Sequence, residues 1–164
     1  MSDQKRDYAS TQIVLPKVLA AALRTLSRKI AKADLAEDGR EDDPHITVKY
    51  GLEDDSPVNV RRVLKEHGPI SVTLGKTSIF PDSGNGDVVK VDVDSKDLHA
   101  VHEALNALPH GDSHAEYQPH ATVAYVKAGK GKQYEGLDDL DGQTFTADTV
   151  EFCRKDSSKC RIPL

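Results

Sequence analysis

The sequence predicts an α+β protein made of two similar halves. The first observation is a repeat, because residues 44–50 read PHITVKY and residues 119–125 read PHATVAY. The second is that strand-like and helix-like apolar patterns alternate along the chain, with one copy of the repeat in each half. This order is typical of a pseudo-symmetric pair of lobes. A doubly wound parallel sheet is the structural alternative, but the chain lacks its glycine-rich strand-to-helix turn for phosphates.

The first elements follow from the spacing of apolar residues. Thr11 to Leu15 is a short apolar strand, and Pro16 suits the first turn of a helix. That helix continues to Ile30, because apolar residues recur there at helical spacing. Residues 36–43 are acidic and contain a glycine, so we expect a loop that leads into the first copy of the repeat.

The middle of the chain predicts a helix, a hairpin and a second helix. Ser56 is a good N-cap before Pro57, and Gly68 with the proline after it ends the first of these helices. Asp94 or Ser95 caps the second helix. The predicted ranges are 57–66 for the first helix, 70–80 and 89–93 for the hairpin strands around the turn residues 81–86, and 95–108 for the second helix.

The C-terminal part predicts a loop and a final hairpin. Residues 127–136 are rich in glycine and lysine and predict a mobile loop, and residues 145–152 and 159–164 predict the two hairpin strands. If residues 156–157 form a two-residue turn, Cys153 lies opposite Cys160. These are the only two cysteines, so the chain has no disulfide framework, and we expect both to stay reduced in the cytosol.

Each copy of the repeat places a histidine and a threonine on one face of a strand. Side chains alternate between the two faces of a strand, so His45 and Thr47 point to one side and the apolar residues between them to the other. His120 and Thr122 are arranged in the same way. The two imidazoles and two hydroxyls can therefore converge on one small polar group.

The motifs HITV at 45–48 and HATV at 120–123 resemble the paired His-x-Thr-hydrophobic motifs of the 2H phosphoesterase superfamily. The resemblance extends from about Ser10 to the end of the chain. Members include RNA 2′,5′ ligases, 2′,3′-cyclic phosphodiesterases, and phage nucleases that destroy cyclic-oligonucleotide defence signals. The resemblance implies a bilobal α+β fold with antiparallel sheet in each lobe, helices outside and both motifs on the floor of a central cleft. It also implies phosphodiester chemistry without a metal or other cofactor.

Phosphodiester cleavage requires one group to remove a proton from the nucleophile and another to protonate the leaving oxygen. Histidine, whose ordinary pKa is ~6.5, can hold either form near neutral pH. We therefore predict that His45 and His120 are the general acid/base pair. We also predict that Thr47 and Thr122 bind the phosphate, because their hydroxyls can donate to its non-bridging oxygens. The sequence does not assign the acid and base roles.

Charge and length restrict the substrate and the compartment. The 164 residues suffice for one domain, predicted over 10–164 after a flexible tail over 1–9. No apolar segment is long enough to cross a bilayer, and the N-terminus has no apolar signal core, so we expect a cytoplasmic protein with no membrane partner. The net charge is −5, and acidic residues crowd before the first motif. Such a rim repels a long phosphate backbone, so long nucleic acid is disfavoured as a partner.

Three functions follow from these observations. The leading hypothesis is a metal-independent phosphodiesterase that hydrolyses a cyclic mono- or oligonucleotide, or a 2′,3′-cyclic phosphate. The alternative is an RNA-end processing enzyme, either a 2′,5′ RNA ligase or a tRNA-type 2′,3′-cyclic phosphodiesterase. The third is a non-catalytic nucleotide-binding module, which the intact histidines and threonines of both motifs argue against.

Five further residues are secondary candidates for substrate binding. Lys49 shares the predicted catalytic face of its strand and can reach a phosphate. Tyr117 and Phe80 lie next to motif-bearing segments and can stack on a base. Lys130 and Lys132 lie in the glycine-rich loop and can close over an anionic ligand.

A second group of histidines raises the question of a metal site. His99 and His102 stand three residues apart on a predicted helix, and His110 and His114 follow in a loop. No cysteine accompanies them and no HExxH spacing occurs, so we predict no metal site in this chain.

Overall fold

The computed structural model describes residues 6–81, 86–111 and 116–164. Its three α-helices are α1 (Lys17–Ser27), α2 (Val58–Leu64) and α3 (Lys96–Leu105). Its strands are β1 (Ala9–Val14), β2 (Leu35–Arg40), β3 (His45–Leu52), β4 (Ile70–Phe80), β5 (Asp87–Asp94), β6 (His120–Val126), β7 (Thr144–Ala147), β8 (Thr149–Cys153) and β9 (Lys159–Pro163). No helix in these described ranges is long and apolar enough to span a bilayer.

The strands form one curled antiparallel sheet whose centre carries the two repeats. The order is β7-β4-β5-β6-β3-β1-β8-β9, and β2 pairs with β6 outside this path. β3 and β6 meet at the single register pair Ile46–Ala121. Four strands lie on either side of that junction, and α1 follows β1 in one half as α3 follows β5 in the other. The prediction of an α+β fold with two pseudo-symmetric lobes is confirmed.

The two halves agree in the detail of their strand registers. The β1–β3 pair and the β5–β6 pair each contain an irregularity beside the valine of the repeat. As a result, Gln12 lies opposite Thr47 in one half, and Lys90 lies opposite Thr122 in the other. Directly opposed residues share a face of the sheet, so each motif threonine has a polar neighbour on the next strand.

The motif strands separate a buried face from a polar face. Their apolar residues are fully buried in the hydrophobic core, and these are Ile46, Val48, Ala121 and Val123. His45, Thr47, His120 and Thr122 alternate with them and are only partly buried. The helices contribute Leu23, Leu98 and Leu105 to the same core. We call the side of the sheet that carries the two histidines the polar face.

The prediction of a loop over residues 36–43 was wrong in its first part. Residues 35–40 form β2, which pairs with β6 through Leu35–Val126. The Arg40 side chain donates to the backbone carbonyls of Ser27 and Ile30, at 3.0 and 2.8 Å. These contacts bind the acidic segment to the C-terminal end of α1. Strand propensity alone did not indicate this pairing.

The predicted strand over residues 145–152 is two strands. Asp148 separates β7, which pairs with β4, from β8, which pairs with β1 and β9. The two strands therefore belong to different halves of the sheet. A pattern of apolar residues cannot reveal that the chain leaves one half at Asp148, because the residues on both sides still alternate.

The predicted register of the terminal hairpin was also wrong. Phe152 is paired with Cys160, and Cys153 is paired with Lys159. The loop has three residues rather than two, because Arg154 N donates to Ser158 O (2.8 Å) and Ser157 adopts a positive φ of 74°. A one-residue slip exchanges the faces of all side chains. The two free cysteines therefore lie on opposite faces of the hairpin.

The N-terminal segment is ordered by the sheet before the predicted domain boundary. Ala9 is the first residue of β1 and is fully buried. The backbone N–H of Arg6 donates to the carbonyl of Lys155 at 2.7 Å. Residues 1–5 of the predicted tail, and 82–85 of the predicted turn, lie outside the described residues.

Candidate active site

Both motif histidines are held by the same hydrogen bond. Nδ1 of His45 lies 2.7 Å from the carbonyl oxygen of Asp43, and Nδ1 of His120 lies 2.8 Å from that of Gln118. A buried proline separates the partners in each case. Because a carbonyl oxygen can only accept, Nδ1 carries the hydrogen in both rings. Nε2 is therefore the nitrogen through which each imidazole can exchange a proton.

The junction between β3 and β6 brings the two motifs together. The isoleucine of the first motif and the alanine of the second are direct antiparallel partners. Continuing that register by one residue in each direction places His45 opposite Thr122 and Thr47 opposite His120. The charge of His45 also lowers the pKa of His120. The four residues predicted from the repeat thus share the centre of the polar face, and their catalytic roles stay predictions.

An acidic environment surrounds His45. The Glu41 carboxylate lies 3.2 Å from its Nδ1, which also contacts the Asp43 carbonyl. Burial lowers the pKa of His45, but the Glu41 and Asp43 hydrogen bonds and the charges of both carboxylates outweigh it. The net pKa of His45 is therefore raised above its ordinary value.

A cationic environment surrounds His120. Burial lowers the pKa of this imidazole, and the charges of Lys90 and His45 lower it further. The Gln118 carbonyl and the Asp92 carboxylate act in the opposite direction but do not compensate. The pKa of His120 is therefore lowered, which is the reverse of the shift at His45.

A network on β4 and β5 carries the cation beside His120. Lys90 Nζ donates to Asp92 Oδ1 at 2.8 Å and to Ser78 Oγ at 2.5 Å, and Ser78 Oγ donates to Asp92 at 2.6 Å. Only 6% of the Lys90 side chain is exposed. Burial raises the pKa of Asp92, but the Lys90 and Ser78 hydrogen bonds lower it to a net value below the ordinary one. The site therefore contains a desolvated but paired lysine.

These residues were absent from the sequence prediction although a signal for them exists. Lys90 and Asp92 alternate with three valines in β5. That alternation puts them on the face away from the core. The missing information was the pairing of β5 with β6, which sets Asp92 opposite His120 and Lys90 opposite Thr122.

The other half of the polar face carries an amide and a carboxylate. Gln12 lies opposite Thr47, as Lys90 lies opposite Thr122. Gln12 Nε2 donates to Glu151 Oε1 at 2.9 Å. Sequence reasoning missed both residues, because β1 and β8 are far apart in the chain and adjacent only in the sheet. The two halves thus present different polar groups at equivalent positions.

Phe80 contacts His120, and Tyr117 contacts the backbone of Thr47. The Phe80 ring meets His120 edge-on at 5.0 Å between ring centroids, and Lys90 Nζ lies 4.4 Å from the Phe80 centroid. The Tyr117 hydroxyl donates to the Thr47 carbonyl at 2.7 Å. The Tyr117 ring stacks on His102 at 3.9 Å with an interplanar angle of 4°. Phe80 thus lies beside a motif histidine, and its role in ligand binding stays a prediction, whereas Tyr117 links the segment before β6 to β3.

The three candidate lysines lie away from the two histidines. Lys49 follows the irregularity of β3, which interrupts the alternation, so its side chain is buried and its charge lowers the pKa of His102. Lys130 and Lys132 follow the end of β6 opposite to His120. Gly129 and Gly131, in the same segment, donate to the Asp87 carboxylate at 3.1 and 3.0 Å. These contacts anchor the segment at the far end of β6.

The second histidine group has structural contacts. His102 donates from Nδ1 to a β3 carbonyl at 2.7 Å and stacks on Tyr117, which His99 meets edge-on at 5.4 Å. His110 makes a 2.8 Å bond to the carbonyl two residues before it, and His114 lies outside the described residues. Within residues 6–81, 86–111 and 116–164, no group of three His, Cys, Asp or Glu could hold a metal ion.

Comparisons with known proteins point to one family. Residues 58–159 match the family model described as the 2′-5′ RNA ligase superfamily, a range that includes the second motif. Among solved structures, the protein TT0787 of Thermus thermophilus is 18% identical with a TM-score of 0.65, over 96% of this chain and 94% of that one. E. coli LigT complexed with phosphate is 13% identical with a TM-score of 0.63, and the match covers 98% of this chain and 96% of LigT. A search of curated protein sequences found no match.

Proposed function

Because the chain belongs to the 2′-5′ RNA ligase superfamily, we propose that it is a metal-independent phosphodiesterase. In this proposal it hydrolyses a 2′,3′-cyclic phosphate or another cyclic nucleotide by general acid/base catalysis. His120 and His45 carry the two proton transfers, and Thr47 and Thr122 bind the phosphate. The observation that carries the proposal is the opposite pKa shift of two histidines that are otherwise held identically.

The pKa shifts assign a role to each histidine. His120, with the lowered pKa, is neutral near pH 7 and accepts a proton from the attacking water. His45, with the raised pKa, keeps its proton to higher pH than an ordinary histidine and, in its protonated form, donates to the leaving oxygen as the phosphorus–oxygen bond breaks. A pair of titratable groups whose environments separate their pKa values is the usual basis of such an assignment. Resynthesis of the ester would exchange the two roles.

Charge on the phosphate is balanced by neutral and cationic donors. Negative charge grows on the non-bridging oxygens in the transition state, and preorganised hydroxyl donors stabilise it there. Lys90 lies opposite Thr122 and adds a positive charge on the His120 side. With both proton transfers assigned to imidazoles and the charge met by donors and a lysine, the chemistry needs no metal ion. The similarly folded E. coli LigT was solved in complex with phosphate, which supports an anionic ligand for a protein of this fold.

A compact substrate suits the charge of the protein. The net charge of −5 is unfavourable for a long phosphate backbone, whose affinity depends on spread cationic contacts. Glu41 lies at the site itself, and Asp43 lies beside it in the segment before β3. A cyclic nucleotide needs neutralisation at only one or a few phosphates. We therefore propose a small nucleotide or cyclic oligonucleotide rather than polymeric RNA.

The second candidate is RNA-end processing. The description of the matching family model, the 2′-5′ RNA ligase superfamily, favours it. Such an enzyme would use the same histidine pair on the 2′,3′-cyclic end of an RNA strand. It differs from the first candidate in requiring the strand for efficient turnover.

A substrate panel tests both candidates. Purified protein is incubated in EDTA with 2′,3′-cyclic mononucleotides, 3′,5′-cyclic mononucleotides, cyclic di- and trinucleotides, RNA with a 2′,3′-cyclic end, and linear RNA. Chromatography then identifies the substrates that are consumed. We expect turnover of a small cyclic substrate that H45A and H120A both lack. Turnover restricted to RNA ends would support the second candidate, and loss of all activity in EDTA would contradict both.

A further inference from the structure

A small cavity lies beside His45 on the polar face. Val14, at the end of β1, is the register partner of His45 and is 41% exposed. Val14, Pro16 and Phe145 form apolar walls of a cavity of about 230 Å³. That volume is below the ~300–1,000 Å³ of sites for drug-sized ligands. The cavity is therefore large enough for one small group, such as a single base, and its lining is both apolar and polar.

Two charged side chains line the same cavity. Glu151 on β8 and Arg161 on β9 are register partners, so their side chains start side by side on one face. Gln12 donates to Glu151 Oε1 at 2.9 Å and fixes the orientation of the carboxylate. Gln12 is buried and lies opposite Thr47. A continuous row of polar groups therefore runs from a predicted phosphate-binding threonine to the cavity.

The distance from the histidines to this pair suits a nucleoside. Neighbouring strands are ~4.8 Å apart, so β8, which carries Glu151, lies roughly 10 Å from β3, and β9, which carries Arg161, lies roughly 14 Å from it. The base of a nucleotide whose phosphate lies at His45 is offset by less than either distance, so both long side chains must extend towards β1 to reach it. Glu151 and Arg161 then meet the outer edge of the base, and Val14 and Pro16 meet its face.

The chemistry of the pair selects among bases. Glu151 presents only acceptors and Arg161 only donors, adjacent to each other. The Watson–Crick edge of guanine carries one acceptor, O6, beside two donors, N1–H and N2–H. Adenine and cytosine offer a carboxylate one donor flanked by an acceptor, and uracil offers one donor between two acceptors. Guanine alone matches an arginine beside a carboxylate along its whole edge.

We propose that this cavity binds the guanine base of the nucleotide substrate, with Glu151 accepting from N1–H and N2–H and Arg161 donating to O6. Asp148 also lines the cavity but is exposed, and Glu151 is only partly exposed and held by Gln12. A desolvated and oriented carboxylate discriminates better than a solvated one. This inference rests on the proposed function for the position of the phosphate.

Binding of two product-like ligands tests the cavity without catalysis. Calorimetry would compare guanosine 2′-monophosphate with adenosine 2′-monophosphate, neither of which contains a cleavable diester. The wild-type protein should bind the guanosine ligand about tenfold or more tightly, the usual discrimination of a good bidentate contact. E151Q should lose this preference and leave affinity for the adenosine ligand almost unchanged. E135Q, which removes an exposed carboxylate outside the cavity, is the matched control and should retain the preference.

A second variant covers the case in which E151Q disturbs the sheet through Gln12. V14F changes an exposed side chain and fills the cavity, so it should weaken binding of both ligands while circular dichroism stays native. Equal affinity of the wild-type protein for both ligands, or an unaltered preference in E151Q, would overturn the inference. Turnover of 2′,3′-cyclic GMP and AMP is measured in parallel. Failure to consume either substrate would contradict the proposed function. The binding preference is measured separately, by calorimetry, and does not depend on turnover.

Discussion

The Glu41 carboxylate lies 3.2 Å from Nδ1 of His45, and this contact distinguishes two otherwise equivalent histidines. In the other half of the sheet, burial and the charge of Lys90 lower the pKa of His120, and the opposing effect of Asp92 does not compensate. The strand registers beside the two motifs agree, but the side chains around the two rings differ. The pKa of His45 is thereby raised and that of His120 lowered, as the proposed acid/base mechanism requires.

We predict a bell-shaped pH dependence of kcat/KM. In the proposed mechanism, activity needs His120 neutral and His45 protonated. On the acid side, activity rises as the pH passes the pKa of His120, which is lowered below ~6.5. On the alkaline side, it falls as the pH passes the raised pKa of His45. The plateau therefore includes the ordinary histidine pKa, and a rate profile over pH 4–10 in about half-unit steps would measure both limbs. A sigmoidal profile with one limb would contradict this assignment.

E41Q should move only the alkaline limb. Removing the carboxylate removes the largest contribution that raises the pKa of His45. The imidazole then loses its proton at lower pH, so the alkaline limb shifts to lower pH and the acid limb stays in place. D42N removes an equal charge from the same segment, where the Asp42 side chain is exposed and its backbone carbonyl accepts from Arg24 at 3.2 Å. This control should shift the profile much less.

K90M should move the acid limb in the opposite sense. Without the Lys90 charge, and with Asp92 no longer paired with a cation, the pKa of His120 rises. His120 then becomes neutral only at higher pH, so the acid limb of the profile shifts to higher pH. K90R retains the positive charge and should keep most of the wild-type pH profile. K76M removes an exposed lysine of β4 and should leave both limbs unchanged, and an unshifted profile in K90M would remove Lys90 from this role.

H45A and H120A should each abolish turnover with the fold retained. Loss of a positioned acid or base typically costs ~10²–10⁴ in rate. The two groups act on one bond, so the double variant should be little worse than either single variant. Rates in all three variants are compared with their circular dichroism spectra. Near wild-type activity in one single variant would show that its histidine is not a proton carrier.

The repeat was enough to predict which side chains of the two motif strands face away from the core. Period-two alternation correctly assigned the polar faces of β3 and β6, since both motifs begin their strands and precede the irregularities. The same rule failed at Lys49, because an irregularity after Thr47 puts that side chain in the interior. Strand pairing is a tertiary property, so the groups contributed by β1, β5 and β8 required the structure. The hairpin register of Cys153 failed for a local reason, a loop one residue longer than expected.

Y117F should loosen the site without altering its proton chemistry. The Tyr117 hydroxyl donates to the Thr47 carbonyl at 2.7 Å, and its ring stacks on His102. Burial raises the pKa of this phenol, so it remains a protonated donor throughout the pH range of the assay. Deleting the hydroxyl should cost about 1 kcal/mol of unfolding free energy, which for a chain of this size lowers Tm by roughly 2–4 °C.

The same variant separates positioning from catalysis. Because Thr47 is held less firmly, kcat should fall while both limbs of the pH profile keep their positions, since neither imidazole loses a charged neighbour. Y50F, which deletes a hydroxyl from a ring that is 42% exposed and contacts Tyr8 edge-on, is the matched control and should keep the wild-type Tm and kcat. A shift of the pH limbs in Y117F would show that Tyr117 acts on the histidines electrostatically. An unchanged kcat would show that Tyr117 contributes only to the stability of the fold.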